Sequence, residues 1–314
     1  MVRFTVLGSG SKGNATVITS GKTSLLVDCG FSCREILRRM REAGEDPEKL
    51  SGIIVTHEHA DHVSGISVTA RKLKIPVYFT EGTHKAWKSW IEPSKQMSRK
   101  QWLEECQRRA EARLTEGSSV DISSEESSND EDSSRNAAGK PAKHEASWLP
   151  AVEYFEAGEE FSIGDLKVRA FTTPHDAADP VGFVFEAEGV RMGYATDLGY
   201  MPPNVKAQLV GLDLLLLESN HDLEMLRDGP YPWSVKQRVM SRVGHLSNDA
   251  AAEFLASEYD GQARQIILAH LSEKNNLPEL ARIAAERALA ERMSLTGNQL
   301  QLAGQYAPLT PLYF

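Results

Sequence analysis

The sequence predicts an α/β (α+β) chain folded as a single domain over residues 1–314, a four-layer αββα sandwich. Three observations carry this expectation. Strand-rich stretches run from Arg3 to Thr80 and from Val152 to Glu218, and helical patterning accompanies or follows each. Several of the strands are unbroken apolar runs, as strands buried on both faces must be. The two halves echo one another across a polar interruption, which suits two sheets facing each other with helices outside.

The elements follow in order. Arg3–Leu7, Ala15–Thr19 and Ser24–Asp28 read as strands, punctuated by Gly8, Gly10, Gly13 and Gly21. Phe31–Ala43 places Ile36, Leu37 and Met40 at helical spacing. Gly52–Thr56 is an apolar strand that runs into a histidine cluster, Val63–Leu73 is helical, and Pro76–Thr80 is a strand. After the interruption come strands at Val152–Glu156, Phe161–Ile163, Lys167–Thr173, Val181–Ala187 and Val190–Thr196, with turns at Gly158, Gly164, Pro180 and Gly189. Leu212–Glu218 is a strand of the fully buried type. Helices are predicted at Ser234–Val243, Asn248–Tyr259 and Pro278–Met293, and a last strand at Gln265–Ala269.

The interruption covers about residues 92–147. Met97–Leu114 is charged and helical in pattern, whereas Ser118–Ala142 is rich in Ser, acid and Ala with almost no apolar periodicity. Such a segment cannot bury enough surface to offset its ordering entropy, and a disordered surface insertion is expected. It also holds most of the excess negative charge, in the stretch Glu116–Asp132. Glu116, Asp121, Glu125, Glu126, Asp130, Glu131 and Asp132 fall in a run without Lys or Arg, against a formal net charge of −9 for the whole chain. The rest is close to neutral, so net charge does not exclude a phosphate-bearing substrate. The three cysteines, Cys29, Cys33 and Cys106, do not form a CxxC pair and suit a reducing compartment. The N-terminus runs straight into a strand and no apolar run reaches the ~18 residues of a membrane span, so a cytoplasmic protein without membrane contact is expected.

The chemistry concentrates at Thr56-His57-Glu58-His59-Ala60-Asp61-His62. Strand periodicity puts His57 and His59 on one face, and Asp61 and His62 on the following turn. Three imidazoles and a carboxylate in so short a span are costly unless a cation lies among them. Imidazole and carboxylate suit Zn²⁺, and a larger oxygen share suits Mn²⁺. Two such ions a few ångströms apart can share a hydroxide and clamp a displacement at phosphorus or carbonyl carbon. The run Gly8-Ser9-Gly10-Ser11-Lys12-Gly13 fits GxGxxG, but a β-rich segment follows it where a dinucleotide site needs a helix.

The motif resembles that of the metallo-β-lactamase superfamily, and further likenesses follow in the order that fold requires. The resemblance implies that His57, His59 and His175 hold one divalent ion, that Asp61, His62 and His270 hold a second, and that Asp197 bridges them. Asp28 matches the acid that supports the site from behind. Asp197 stands where the β-lactamases proper carry Cys, which argues against a lactamase. The stretch from Asp197 to His270 is too short for the inserted domain of β-CASP nucleases. A Glu and a His in the order of Glu218 and His245 also occur in tRNase Z, which implies His245 as proton donor to the leaving oxygen and Glu218 as its orienter. Asp61 counts with them as catalytic. The runs Gly8–Asn14, His175–Phe183, Thr196–Tyr200, Glu218–Asp222 and Ala269–Asn276 are similar to the YycJ/WalJ-like branch. That branch implies a metal-dependent nuclease, a 5′ exonuclease on double-stranded DNA linked to repair. In it the glycine-rich turn lies near the site, which makes Ser11, Lys12 and Asn14 candidates for phosphate contact; His221 is a candidate for the cleft wall.

Two other readings stand beside the nuclease. One is a hydrolase of a small ester, thioester or lactone on the same site. The other is a non-catalytic metal-binding interaction protein working through the acidic insertion, which the filled ligand positions disfavour. DNA predicts a basic rim, for which Lys12, Arg34, Arg38, Arg191, Lys236, Arg238 and Arg242 are candidates; a small substrate predicts a closed apolar pocket.

Overall fold

The computed structural model describes residues 1–92, 103–104, 106–108, 146–290 and 297–314. The insertion expected at about 92–147, including most of the helix expected over 97–114, lies largely outside the described residues.

Two seven-stranded sheets form the centre. The first contains β1 (Arg3–Gly8), β2 (Ala15–Ser20), β3 (Thr23–Val27), β4 (Gly52–Ile54), β5 (Val77–Phe79) and β6 (Val152–Tyr154) in sequence order, with β14 (Leu312–Tyr313) beside β1. The second runs from β7 (Glu160–Ile163) through β8 (Leu166–Thr172), β9 (Val181–Ala187), β10 (Val190–Ala195), β11 (Leu214–Glu218) and β12 (Gln265–Ala269) to β13 (Gln299–Leu302). In each sheet the outer hairpin strands are antiparallel, while β3 to β6 and β10 to β13 are parallel. This gives each sheet a set of strand carboxyl ends on one side, where open α/β sheets place their sites.

Alternation along the strands builds three cores and hence four layers. Phe4, Leu25 and Val27 of the first sheet meet Val168, Phe183 and Leu216 of the second. On its other face the first sheet presents Leu26, Ile53 and Val55 to helices α1 (Cys33–Glu42), α3 (Ile66–Leu73) and α4 (Glu81–Ile91), through Ile36, Ile66 and Trp87. The second sheet presents Leu215, Leu217 and Ile266 to α5 (Pro203–Gln208), α8 (Asn248–Ser257) and α9 (Pro278–Ala290), through Val205, Phe254 and Ala285. The one-turn α2 (Ala60–Val63), and α6 (Leu223–Asp228) and α7 (Trp233–Val239), lie in loops that follow the strand ends.

The expected sandwich is thus the observed one, with local differences. The helix expected over Val63–Leu73 is split at Ser64-Gly65, where the Gly65 amide turns to donate to the Cys29 carbonyl at 2.8 Å. The helix expected over Ser234–Val243 ends at Val239, because the His245 amide returns to the Val239 carbonyl. Helices α4, α5 and α6 and strands β13 and β14 carry too short or too mixed a pattern to be marked from sequence; β14 is ordered by pairing with β1. The end of the helix expected to reach Met293 lies outside the described residues. No helix among the described residues is long and apolar enough to cross a membrane.

Candidate metal centre

Every expected ligand sits at a strand carboxyl end. Asp28 follows β3, the 56–62 loop follows β4, Asp197 follows β10, and His270 follows β12, while Glu218 ends β11. Among the described residues five non-glycine positions have positive φ, and three of them are Asp28 (60°), Asp197 (60°) and His270 (57°). Left-handed backbone is uncommon for side-chain-bearing residues and is held only where surrounding contacts impose it. Here it turns each strand end so that the side chain reaches the 56–62 loop, Asp28 and Asp197 at His62 and His270 at Asp61.

Hydrogen bonds then fix which nitrogen each imidazole offers. His62 donates from Nδ1 to Asp28 Oδ2 at 2.8 Å, and Asp28 also accepts from the Thr56 amide and hydroxyl. His57 Nδ1 lies 3.0 Å from the Thr56 hydroxyl, His175 donates from Nδ1 to the Gly244 carbonyl at 2.9 Å, and His270 donates from Nδ1 to Glu218 Oε1 at 2.9 Å. Each of these four rings therefore turns Nε2 inward. Anchoring the outer nitrogen in this way orients and strengthens a metal-binding imidazole.

The inward atoms form two groups that meet at one carboxylate. Donor atoms of His57, His59 and His175 lie within 4.8 Å of one another, as do those of Asp61, His62 and His270, and those of His57, His62 and Asp197. Asp197 Oδ1 is 3.6 Å from His175 Nε2 and Oδ2 is 3.4 Å from His62 Nε2, so its two oxygens face the two groups. His57 Nε2 and Asp197 Oδ2 are buried without a hydrogen-bond partner, and His59 turns Nδ1 to within 3.2 Å of His175 Nε2. Buried polar atoms are almost always paired. Orphaned atoms converging from an imidazole and carboxylate donor set fit divalent cations, and that arrangement can hold two.

Electrostatics agrees. Burial, aided by neighbouring imidazoles, holds His57 well below its ordinary pKa and brings His59 down to about 3; burial also lowers His175. Their lone pairs are free at neutral pH. His62 is pushed the other way, to about 9, because Asp197, Asp28 and Asp61 outweigh the effect of burial, and Asp197 likewise dominates in raising His270. The carboxylate-rich side of the site thus demands positive charge.

Glu218 is fully buried and accepts four hydrogen bonds: from His245 Nδ1 (2.8 Å) and His270 Nδ1 at Oε1, and from the Leu198 (2.7 Å) and Leu246 (3.1 Å) amides at Oε2. It joins His245 to His270 through one oxygen. His245 is raised above its ordinary pKa because Glu218 outweighs burial.

A cavity of about 340 Å³ opens over these groups, lined on one part by His59, Asp61, Asp197, His245 and His270. Of the substrate candidates, Ser11 lines it. Lys12 is exposed and its ammonium binds Glu273 Oε1 at 2.7 Å and Tyr306, off the cavity wall. Asn14 is buried, accepting from the Gly10 amide and Ser9 hydroxyl, while its own amide donates to the Asp61 carbonyl at 2.8 Å. Ser9 in turn accepts from the His270 amide at 2.8 Å. The glycine-rich turn is therefore a clamp tying the ligand loops of the two sheets together. His221 is buried away from the cavity lining. Of the expected basic rim only Arg238 lines the cavity; Arg38 pairs with Glu35 and Glu42, Lys236 donates to the Arg227 carbonyl, Arg242 lies over Tyr200, and Arg191 is at another pocket.

Sequence reasoning missed Glu58 and Asp176. Glu58 is buried, accepts from the Ala178 amide at 2.7 Å, and is pushed up to about 7 by burial. Asp176, beside His175, accepts from Arg238. Each adjoins an expected ligand, and that adjacency was the available signal.

Residues 8–234 match the model of the metallo-β-lactamase superfamily. The chain is 32% identical over 303 residues to exodeoxyribonuclease YycJ of Bacillus anthracis, covering 96% of this chain and 94% of that one. It is 32% identical over 289 residues to exodeoxyribonuclease WalJ of Streptococcus pneumoniae, covering 92% and 88%. Among solved structures it resembles the metallo-β-lactamase fold protein YhfI from Bacillus subtilis, with a TM-score of 0.58, 15% identity and 98% of both chains covered.

Proposed function

The chain belongs to the metallo-β-lactamase superfamily and its YycJ/WalJ-like branch, and from that premise we propose that it is a two-metal phosphodiesterase that degrades double-stranded DNA from a 5′ end. The observation that carries the reading is the meeting of two imidazole-rich donor groups at Asp197 on the floor of a cavity, with the His245–Glu218 pair beside it.

In this reading His57, His59 and His175 hold one divalent ion, Asp61, His62 and His270 hold the other, and Asp197 is shared. Bound there, two such ions, Zn²⁺ or Mn²⁺, would make water a nucleophile at neutral pH and draw charge from a phosphate. The rest is done by the chain. Asp28 holds His62 in the required tautomer. Glu218 accepts a hydrogen bond from His245 Nδ1–H and favours the doubly protonated ring, whose Nε2–H is then available to protonate a departing oxygen. Ser11 is assigned to the substrate, and Ser9 and Asn14 to holding the loops together.

The test is hydrolysis of 5′-phosphorylated duplex DNA by metal-stripped protein after adding back Mn²⁺ or Zn²⁺, with His59→Ala as control. Metal-restored degradation absent from the variant is expected. No cleavage by a protein shown to hold two ions would sink the DNA reading. One observation favours a second reading, a small ester or phosphodiester substrate: among the described residues the cavity is lined by a single Lys or Arg side chain. A rate insensitive to salt would select it.

A further inference from the structure

We propose that Arg238 reads a phosphate of the nucleotide held in the cavity, gripping it with its two terminal amino groups and so setting substrate specificity. The inference rests on the phosphodiesterase reading and names what holds the substrate there.

The cavity is uneven. One part is the acidic and imidazole wall of the metal centre; another is apolar or aromatic, formed by Trp90, Leu103, Tyr231, Val235 and Val239. Arg238 is the one permanently charged cation in the lining among the described residues. It lies on α7, where Val235 stands three positions before Arg238 and four before Val239, and all three side chains line the cavity.

Arg238 is held by one corner only. Its Nε–H donates to Asp176 Oδ2, and Asp176 is 1% exposed and follows His175 directly. Arg–carboxylate pairs frequently use the fork on both carboxylate oxygens. Here Asp176 Oδ1 instead faces His175 Nε2 at 3.5 Å and has no hydrogen bond. The Nη1 and Nη2 groups have no protein partner among the described residues, and the side chain is 41% exposed. The result is a rigid pair of donors, fixed relative to the candidate metal ligands through Asp176. Planar forks of this kind match two phosphate oxygens.

The chemistry of the lining identifies the ligand class. An anion is needed at Arg238 and a flat apolar group against Trp90 and Tyr231, which a nucleoside phosphate supplies. At about 340 Å³ the cavity lies at the small end of ligand sites and takes one such unit, not a duplex. The phosphate is therefore either the terminal one or the one linking that nucleotide to the next.

The experiment compares metal-loaded wild type, Arg238→Gln and Arg238→Lys. Binding of deoxyadenosine 5′-monophosphate and of deoxyadenosine is measured by calorimetry, and cleavage is measured on duplexes with 5′-phosphate or 5′-hydroxyl ends. Losing two charge-assisted bonds should weaken monophosphate binding by roughly 10- to 100-fold and leave the nucleoside unchanged. KM should rise while kcat stays within a few-fold. The lysine variant keeps a charge beside Asp176 but lacks the fork, so it should recover only part of the affinity; it carries the test if the glutamine variant fails to fold. A KM rise confined to 5′-phosphate ends assigns the terminal phosphate, and an equal rise on both ends assigns the linking one. Arg238-dependent monophosphate binding by a wild type that cleaves no DNA would keep this site and overturn the nuclease reading. Folded variants that bind the monophosphate as wild type does, or that lose kcat at constant KM, would overturn the proposal and reduce Arg238 to a support for Asp176.

Discussion

The two sheets contribute to the site in different ways. The first supplies His57, His59, Asp61 and His62 from one loop, with Asp28 one strand away. The second supplies His175, Asp197, Glu218, His245 and His270 one at a time, from separate loops and strand ends. A contiguous set is assembled by local geometry: the end of a strand, then one helical turn. A dispersed set exists only once the parallel strands β10, β11 and β12 are in register, since Ala195 must pair with Leu217 and Leu217 with Leu268 for their following residues to converge. Half of the site is thus a property of sequence and half a property of tertiary structure.

The largest test of this contrast is at Asp197, where the halves meet. If the contiguous loop sufficed, the shared carboxylate would be dispensable. Asp197→Asn keeps the shape and tolerates the left-handed backbone, as Asn does. It removes the charge that faces both His175 and His62. Metal content should fall from two ions per chain, and DNA turnover by roughly 10³-fold or more, with the thermal unfolding profile kept. Two ions and undiminished turnover in this variant would show that the sheets do not share the site through Asp197.

The same contrast explains what could be read without coordinates. The 56–62 run announces itself by residue type and spacing, and the fold followed from strand punctuation and from likeness to a known motif order. His175 and His270 are lone histidines in the text of the sequence, and only the resemblance picked them out. Arg238 could not be separated from six other basic candidates, because the separation depends on which face of α7 meets the cavity. The glycine-rich turn misled in part. Its position near the site was legible, but Ser9 bonds the His270 backbone across the sheets and Asn14 bonds its own turn and the 56–62 loop, a tertiary fact.

A smaller effect tests the support behind the contiguous half. Asp28 accepts from His62 and Thr56 and is not among the residues that line the cavity. Asp28→Asn keeps the positive-φ turn but weakens the anchor that sets the His62 tautomer. Losing such a partner typically costs 10- to 100-fold in metal affinity. Chelator competition should find one ion weakened to about that degree and the other retained. Equal weakening of both would mean that the two halves are not separable.

The smallest effect is at the outer layer of the first sheet. On α1, Glu35 accepts from Arg38 (2.8 and 3.0 Å) and Arg39 (2.7 Å), and Arg39 passes on to the carbonyls of Leu7 and Gln305 at the base of the glycine-rich turn. These hydrogen bonds, Arg38 first, hold the Glu35 carboxyl down to about 2. A carboxyl lowered on folding stabilises above its ordinary pKa, and the stabilisation is lost as pH falls through the folded value. The pair is partly exposed, so Glu35→Gln should cost less than about 1 kcal/mol at pH 7. In urea titrations the gap between variant and wild type should be full at pH 7, intact near pH 5, and narrow progressively from about pH 4 toward 2. Turnover should barely change, because Arg39 keeps its two carbonyl partners. A gap that stays constant across that range would show that the charge on Glu35 does not matter to the fold, and a marked loss of turnover would show that the clamp reaches farther into the site than the contacts at Ser9 and Asn14.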